Sequence, residues 1–455
     1  MSYSRAHMGP RHRSAPSLLS RRTLLGTAGS GLLAAATAAT ASPAVHIFAQ
    51  EATPVATPMP TPLTRGVQLL AFPDTVHVDE PFDLGMIGLE PHQRVTLTST
   101  YPHVRMEASA TATYEANGDG YIQASAQRPL SGTFDAPDAM GFIWGAAGPT
   151  GFPAGVAYTN PPPITITATD AGDQRVLATT QIKLTFLEET TQQIDVREEG
   201  LIGTFFLPAS TEPIPAVIVL GGSEGGLNHW NERTAALLAS HGIAALTLAY
   251  FGIGDLPATL TNVPIEYFET AIRWLQKQPG IAADRLGVMG TSRGGELALI
   301  LGSMFDDLKA VVSYVGGGYV VESPYGYGSP AWTWKGMPIP FLSDEITRED
   351  ELERVEIQVE KTNGPVLLVS ADADEIWPST RLSRVALDRL CRFDRPFADQ
   401  LLSFPGAGHM IAPPYLPLTA TTISPLTQNP VAQQAANVGA WHGTLQLFES
   451  RLMNG

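Results

Sequence analysis

The sequence Gly290-Thr291-Ser292-Arg293-Gly294 directly follows the short apolar run Arg285-Leu286-Gly287-Val288-Met289. The residues after it, Glu296-Leu297-Ala298-Leu299-Ile300-Leu301, have the composition of a helix. A strand that ends in Gly-x-Ser-x-Gly and leads into a helix is typical of a nucleophile elbow, a strained turn that exposes a serine hydroxyl. The stretch therefore predicts that Ser292 is a nucleophile at the end of a strand.

The sequence around this elbow predicts a parallel sheet. From Ile194 onward, strand-like and helix-like stretches alternate, as a parallel sheet with crossover helices requires. Short apolar runs predict buried strands at 216–220, 244–248, 286–289, 310–314 and 366–370. Two apolar stripes at helical spacing are expected to pack on the sheet: Ile265, Phe268, Ile272 and Leu275, and Trp441, Leu445, Phe448 and Leu452. We expect an α/β-hydrolase domain over residues 189–455.

The chain before this domain has a different sequence pattern. Residues 66–188 consist of short runs of alternating apolar and β-branched residues, separated by turn signals such as Asn117-Gly118-Asp119-Gly120. Several short strands at turn-separated spacing predict an all-β, immunoglobulin-like sandwich in front of the hydrolase domain. No cysteine pair pins its topology, since the chain contains a single cysteine.

The amino end predicts export. Basic residues through Arg21-Arg22, followed by an apolar stretch to about Ala41, match a twin-arginine signal over residues 1–41. Residues 42–65 form a Pro/Thr-rich linker. The alternative of an uncleaved membrane anchor is less favoured, because the stretch is only weakly apolar. The expected location is periplasmic or extracellular, the expected partner is the twin-arginine export machinery, and no membrane span is expected after signal removal.

Composition excludes several classes of partner. The formal net charge is −16 and the mature part has no dense Lys/Arg run, which argues against nucleic acids and anionic membranes. The single cysteine, Cys391, has no companions at metal-ligand spacing, and its sequence context predicts a buried helix residue. We therefore expect a small-molecule substrate and neither cofactor nor metal.

Ser292 needs a base and a carboxylate to orient that base, because an unassisted hydroxyl is a poor nucleophile at neutral pH. In α/β-hydrolases the chain order is Ser, acid, His. Asp374 lies in an acidic loop after the strand predicted to end at Ser370, and Asp372 in the same loop is the alternative acid. Pro405-Gly406-Ala407-Gly408-His409 follows the last predicted strand, at residues 400–404, so His409 is the predicted base.

The oxyanion of the transition state needs hydrogen-bond donors. One predicted donor is the backbone N–H of Arg293, directly after the nucleophile. The second is expected from the glycine-rich loop (residues 221–226), with the amide of Ser223 or Glu224 as candidates. Its glycines permit a close backbone approach. The loop lacks the Gly-Lys-Ser/Thr ending of a P-loop, so phosphate binding is not predicted. The residues that bind substrate cannot be read from the sequence.

Several segments resemble the acyl-CoA thioesterase and bile acid-CoA:amino acid N-acyltransferase family. They are Gly290-Thr291-Ser292-Arg293-Gly294-Gly295-Glu296-Leu297, Leu248-Ala249-Tyr250-Phe251, Ile265-Glu266-Tyr267-Phe268-Glu269, and His409-Met410-Ile411-Ala412-Pro413-Pro414-Tyr415. The resemblance spans the chain from Gly66 onward and implies an immunoglobulin-like domain followed by an α/β-hydrolase domain. It places the family's nucleophile, acid and base on Ser292, Asp374 and His409.

The resemblance implies a serine acyl hydrolase, foremost a thioesterase that cleaves acyl-CoA-like thioesters through an acyl-serine intermediate. Alternatives are an exported carboxylesterase on non-CoA esters, an acyl-CoA:amino acid N-acyltransferase, or an inactive binding protein. Arg293 stands where the family usually has lysine, which leaves its side-chain role open. The aromatic stretch between residues 314 and 366 is expected either to form part of an acyl pocket or to pack on itself.

Overall fold

The computed structural model describes residues 66–101, 108–146, 161–343, 349–416 and 429–454. The predicted signal (residues 1–41) and linker (residues 42–65) lie outside these residues. Within the described parts of the chain, no helix has the length and apolar character needed to span a membrane.

Between residues 66 and 186, the described residues form two β-sheets that face each other. The smaller sheet consists of β1 (Gln68–Phe72), β3 (Asp83–Ile87) and β6 (Ile122–Gln123). The larger has the order β2 (Thr75–His77), β9 (Val176–Thr185), β8 (Ile164–Asp170), β4 (Arg94–Tyr101), β5 (Ala108–Glu115) and β7 (Ser131–Gly132). Its pairs are antiparallel except β2–β9.

The two sheets share one hydrophobic core. Successive side chains of a strand face opposite sides, so alternate residues of β4 and β5 are buried. Leu84 from the smaller sheet packs in the same cluster as Leu97 and Tyr114 from the larger one. The short helix α1 (Gly141–Trp144) adds Phe142, which contacts Phe134 edge-to-face at 5.1 Å between ring centroids. The predicted immunoglobulin-like sandwich is confirmed.

The second part of the chain is built on an eight-stranded sheet. Its order is β10 (Gln192–Val196), β11 (Ile202–Leu207), β13 (Ala244–Ala249), β12 (Ile214–Leu220), β15 (Ile281–Thr291), β16 (Leu308–Tyr314), β19 (Val366–Ala371) and β20 (Gln400–Phe404). The six strands from β13 to β20 pair in parallel, and β11 pairs antiparallel with β10 and β13. This strand order, with β11 as the one antiparallel strand of this sheet, is that of the α/β-hydrolase fold, which confirms the predicted fold class.

Helices cover both faces of the eight-stranded sheet. On one face lie α2 (His229–Ser240) and α7 (Pro430–Phe448), which a π-helical turn (Glu449–Met453) extends. On the other face lie α3 (Glu266–Gln276), α4 (Arg293–Met304) and α6 (Ser379–Arg392). Within β12, Val217 and Val219 join the first face, whereas Ile218 and Leu220 join the second. The two stripes predicted to be core are buried on α3 and at the carboxyl end of the chain.

Shorter elements complete the described structure. A small sheet consists of β14 (Val263–Pro264), β17 (Trp332–Trp334) and β18 (Met337–Pro338), and α5 covers Glu349–Val355. All apolar runs predicted as strands form strands, but the sequence analysis did not predict β10 and β11. Four of the five β10 residues are exposed, because this strand lies at the edge of the sheet.

The prediction for Cys391 is wrong in one respect. The residue lies on α6 as expected, but it is exposed. Helix α6 buries Leu382, Ala386 and Leu390 against the sheet. Cys391 follows Leu390 and is therefore rotated by about 100° around the helix axis, onto the solvent face.

The sandwich packs against the face of the hydrolase sheet that α2 and α7 cover, and a buried carboxylate lies in this contact. Asp79, whose side chain is 2% exposed, accepts hydrogen bonds from His241 Nε2 at 2.6 Å and Trp441 Nε1 at 2.7 Å. Burial opposes ionisation of Asp79, but the bonds to His241 and Trp441 outweigh it and lower its pKa. An ionised aspartate of the sandwich is thus tied to both covering helices.

Candidate active site

Ser292 occupies the turn between β15 and α4. Its backbone has φ 58° and ψ −120°, a conformation that side-chain-bearing residues rarely adopt. The flanking glycines make the turn possible. A Cβ on Gly290 would lie 2.1 Å from the Gly294 carbonyl oxygen, and one on Gly294 would lie 2.2 Å from the Gly221 carbonyl oxygen. The strained turn leaves Ser292 half-buried at the carboxyl end of β15.

The acidic loop after β19 brings Asp374 to His409. Asp374 Oδ2 lies 2.8 Å from His409 Nδ1, and the two side chains are 1% and 7% exposed. Asp374 Oδ1 accepts the backbone N–H groups of Ile376 and Trp377 at 3.0 and 3.2 Å. These bonds hold the carboxylate in place, so that it can orient the imidazole and stabilise its protonated form.

Asp372, the alternative acid, points elsewhere. Its Oδ1 accepts hydrogen bonds from Thr380 Oγ1 at 2.7 Å and Ser403 Oγ at 2.8 Å. Both partners lie away from His409, on α6 and β20. Of the two predicted carboxylates, the structure brings only Asp374 to the histidine.

Ser292 and His409 are held at the same edge of the sheet through the end of β16. The Ser292 N–H donates to Tyr314 O at 2.8 Å. The next carbonyl, of Val315, accepts the indole N–H of Trp377 at 2.7 Å, and the Trp377 ring contacts the His409 ring. Within the described residues, no hydrogen bond joins the Ser292 hydroxyl to His409. Such catalytic bonds often tighten only when substrate binds.

The two segments that carry the predicted oxyanion donors lie beside Ser292. Arg293 is the first residue of α4, and its backbone N–H has no acceptor among the described residues. The glycine-rich loop passes close by, because a Cβ on Gly222 would lie 3.2 Å from Ser292 Cβ. The Gly222 N–H donates to Glu224 Oε1 at 3.0 Å, which leaves the Ser223 and Glu224 amides as the predicted donors without an acceptor in the described chain.

The side chain of Arg293 has a structural role that the sequence left open. Its guanidinium donates to the carbonyls of Glu322 at 3.1 Å and Val321 at 2.9 Å, and it lies 3.3 Å from Glu296 Oε2. Burial lowers the pKa of Arg293 and raises that of Glu296. The buried pair attaches the start of α4 to the segment after β16.

The aromatic residues of that segment serve different purposes. Trp332 is fully buried and donates to Glu296 Oε1 at 2.8 Å, and Trp334 packs edge-to-face on Phe305. Trp332 belongs to the core and Trp334 is partly buried against it, which favours packing over an acyl pocket for these two residues. Tyr325 is 53% exposed and donates its hydroxyl to Ser223 O at 2.6 Å. No sequence pattern predicts this contact, since its partners lie about a hundred residues apart.

Two family models match this chain. Residues 79–198 match the model described as acyl-CoA thioester hydrolase/BAAT N-terminal region. Residues 263–454 match the model described as BAAT / acyl-CoA thioester hydrolase C terminal. The first match begins within the sandwich and the second covers Ser292, Asp374 and His409.

Characterised relatives are similar over most of their length. The peroxisomal succinyl-coenzyme A thioesterase of Mus musculus is 30% identical, over 82% of this chain and 94% of the relative. Acyl-coenzyme A thioesterase 2 of Rattus norvegicus is 30% identical over 83% and 87%. Acyl-coenzyme A amino acid N-acyltransferase 1 of Mus musculus is 28% identical over 85% and 98%. The chain therefore belongs to the acyl-CoA thioesterase and bile acid-CoA:amino acid N-acyltransferase family.

Proposed function

We propose that the protein is a serine hydrolase that cleaves acyl thioesters through an acyl-serine intermediate. The observation that carries the proposal is the buried Asp374–His409 contact of 2.8 Å, at the same sheet edge as the strained turn of Ser292. Thioesterases among the relatives support the same chemistry. A serine nucleophile favours transfer to water over transfer to an amine.

In the proposed mechanism His409 takes the proton of Ser292 as its Oγ attacks the acyl carbonyl carbon. The Arg293 amide and an amide of the glycine-rich loop stabilise the oxyanion of the tetrahedral intermediate. Collapse breaks the carbon–sulfur bond, and the proton on His409 goes to the departing thiolate. A water molecule, deprotonated by His409, then attacks the acyl-serine and releases the carboxylic acid with restoration of the Ser292 hydroxyl.

We also propose that the protein is exported, on the strength of the twin-arginine pattern in residues 1–41. Coenzyme A esters are scarce outside the cytoplasm, so the group that carries the acyl chain in the substrate has to be considered separately. Four loops at the carboxyl edge of the sheet, residues 221–228, 250–262, 372–378 and 405–416, and the first part of the β16–β19 connection, residues 315–331, contain no lysine or arginine. Glu224, Asp255 and Glu375 on these loops are exposed.

This acidic edge favours a second candidate function, the hydrolysis of esters or thioesters that lack the phosphates of coenzyme A. A substrate panel separates the candidates. Acyl-CoA, the matching acyl-pantetheine and a p-nitrophenyl ester present the same acyl group with different leaving groups. Assays with added glycine or taurine detect transfer to an amine as a new amide product.

The test of the proposed function compares wild-type protein with Ser292→Ala. The variant is expected to fold normally, to lose hydrolysis of every member of the panel, and to lose labelling by a fluorophosphonate probe. Turnover by the purified, folded variant would remove Ser292 from the mechanism. A wild-type protein that neither labels nor turns over any acyl substrate would identify an inactive binding protein.

A further inference from the structure

Two tyrosines hold the carbonyl groups of the glycine-rich loop. The buried Tyr250, directly after β13, donates its hydroxyl to Gly221 O at 2.6 Å, with Gly222 O at 3.1 Å. Burial raises the pKa of Tyr250, so the hydroxyl keeps its proton. Tyr325 donates to the third successive carbonyl, that of Ser223, at 2.6 Å. Three consecutive peptide groups are thus fixed from two different parts of the chain.

Fixing a carbonyl also fixes the next amide. In a trans peptide the C=O and the following N–H lie in one plane and point in opposite directions. The bond from Tyr325 to Ser223 O therefore turns the N–H of Glu224 away from Tyr325. The contact of Tyr250 with Gly222 O likewise turns the N–H of Ser223 away from Tyr250. These two amides are the predicted loop donors to the oxyanion.

The loop needs such support because its backbone is permissive. Gly225 and Gly226 have φ 69° and 67°, which glycine adopts without steric cost. Glycines flank Ser223 and Glu224 on both sides, so the peptide group between these two residues is free to rotate unless side chains restrain it. The Glu224 carboxylate accepts the Gly222 N–H at 3.0 Å, but as an acceptor it cannot hold the Ser223 carbonyl, which needs a donor.

Tyr325 lies on the same segment that anchors the other oxyanion donor. The carbonyls of Val321 and Glu322 accept the guanidinium of Arg293, and Tyr325 follows three residues later. The Tyr325 N–H donates to Ser323 Oγ at 3.1 Å, and its ring contacts Phe251. The segment thus contacts both sides of the oxyanion site, the start of α4 and the glycine-rich loop.

We propose that Tyr325 is a positioning residue for the oxyanion hole, acting through the Ser223 carbonyl to aim the following loop amide at the acyl oxygen. This inference rests on the proposed hydrolase function. It assigns the Tyr325 hydroxyl no contact with substrate. Its loss should weaken stabilisation of the transition state while leaving binding of the ground state nearly unchanged.

The experiment compares Tyr325→Phe with Tyr327→Phe. Tyr327 is 75% exposed and makes no hydrogen bond within the described residues, so it provides a matched control two positions away. Phenylalanine keeps the ring contact with Phe251 and removes only the hydroxyl. Because loss of a whole oxyanion donor costs about 10²–10³-fold in kcat, we expect Tyr325→Phe to lower kcat by about 10–100-fold, with KM changed less than about twofold. Tyr327→Phe should match wild type.

Two further measurements separate positioning from a merely structural role. Thermal unfolding should give the same Tm for both variants. The inhibition constant of an acyl trifluoromethyl ketone, which forms a tetrahedral adduct with a serine, should weaken for Tyr325→Phe in proportion to the loss of kcat. Equal kinetics for the two variants, or a raised KM with unchanged kcat, would overturn the proposal.

Fluorophosphonate labelling of Ser292 keeps the test informative if the acyl substrates are the wrong ones. The phosphonyl oxygen occupies the oxyanion site, so the labelling rate should fall in Tyr325→Phe and not in Tyr327→Phe. Labelling without turnover of any acyl substrate would contradict the proposed hydrolase function, whereas the ratio of labelling rates would still decide the role of Tyr325. Identical labelling rates for the two variants would refute that role.

Discussion

Replacing Asp374 by asparagine should disable the protein while leaving its fold intact. The substitution keeps the size of a side chain that is 1% exposed and removes its charge next to His409. Its oxygen can still accept the backbone N–H groups of Ile376 and Trp377. Asp372→Asn is the matched control, since this carboxylate bonds to Thr380 and Ser403 instead.

The expected magnitude follows from the geometry. In the transition state His409 carries a positive charge, with its Nδ1 2.8 Å from Asp374 Oδ2. With an effective dielectric constant of about 20, two unit charges at this separation attract by about 6 kcal/mol. One factor of ten in rate corresponds to about 1.4 kcal/mol. We therefore expect kcat to fall by about 10⁴-fold, the size of the loss known for the same change in serine proteases.

The assay is steady-state hydrolysis of an acyl thioester and of a p-nitrophenyl ester, with thermal unfolding as the check on folding. Asp372→Asn should stay within about threefold of wild type, as is usual for a residue outside the reacting site. A crippled Asp372→Asn beside a nearly normal Asp374→Asn would move the acid to Asp372. An Asp374→Asn variant within tenfold of wild type would refute the electrostatic argument.

Four other tests address separate parts of the structure. Gly294→Ala would place a Cβ 2.2 Å from Gly221 O, so kcat should fall by about 10²-fold. A Cβ on Gly118 would have no atom within 4 Å, so Gly118→Ala should leave kcat unchanged. His241→Ala leaves the buried Asp79 without its cationic partner and should cost about 3–5 kcal/mol in urea unfolding. Burial opposes protonation of His241, but Asp79 outweighs it and raises the pKa of His241. The charged contact is therefore fully formed below about pH 6.5 and is lost as the pH rises through the raised pKa. The Tm of the wild type should fall between these two pH values, whereas the Tm of His241→Gln should stay flat. If the acidic sheet edge repels phosphates, kcat/KM for acyl-CoA should rise about threefold or more with added salt while that for acyl-pantetheine stays constant.

The sequence predicts the fold well because the decisive features are local. The glycines around Ser292 and the continuous apolar runs of the central strands each determine their own short stretch of backbone. The edge strand β10 has no such pattern, since four of its five residues are exposed. It is visible only once β11 is in place to pair with it. Cys391 shows the same limit, because its helix is local but the face it occupies depends on the sheet beneath.

The sequence favours Asp374 and keeps Asp372 as the alternative, because local sequence does not exclude either carboxylate. Both aspartates lie in one irregular loop, two residues apart. What separates them is the packing of α6 and β20, which supply Thr380 and Ser403 to one carboxylate and leave the other facing His409. Spacing along a chain does not reveal which side of a loop a side chain faces.

The side chain of Arg293 has a role separate from the one proposed for its backbone N–H. Its guanidinium bonds two successive carbonyls, those of Val321 and Glu322, while lying beside Glu296. A lysine carries its donors on one nitrogen, whereas the planar guanidinium of Arg293 presents a separate nitrogen to each carbonyl in a fixed geometry. Arginine therefore fixes the direction of the segment that continues to Tyr325. The backbone N–H of Arg293 is the proposed oxyanion donor, and its side chain holds the segment that carries the proposed positioning residue, Tyr325.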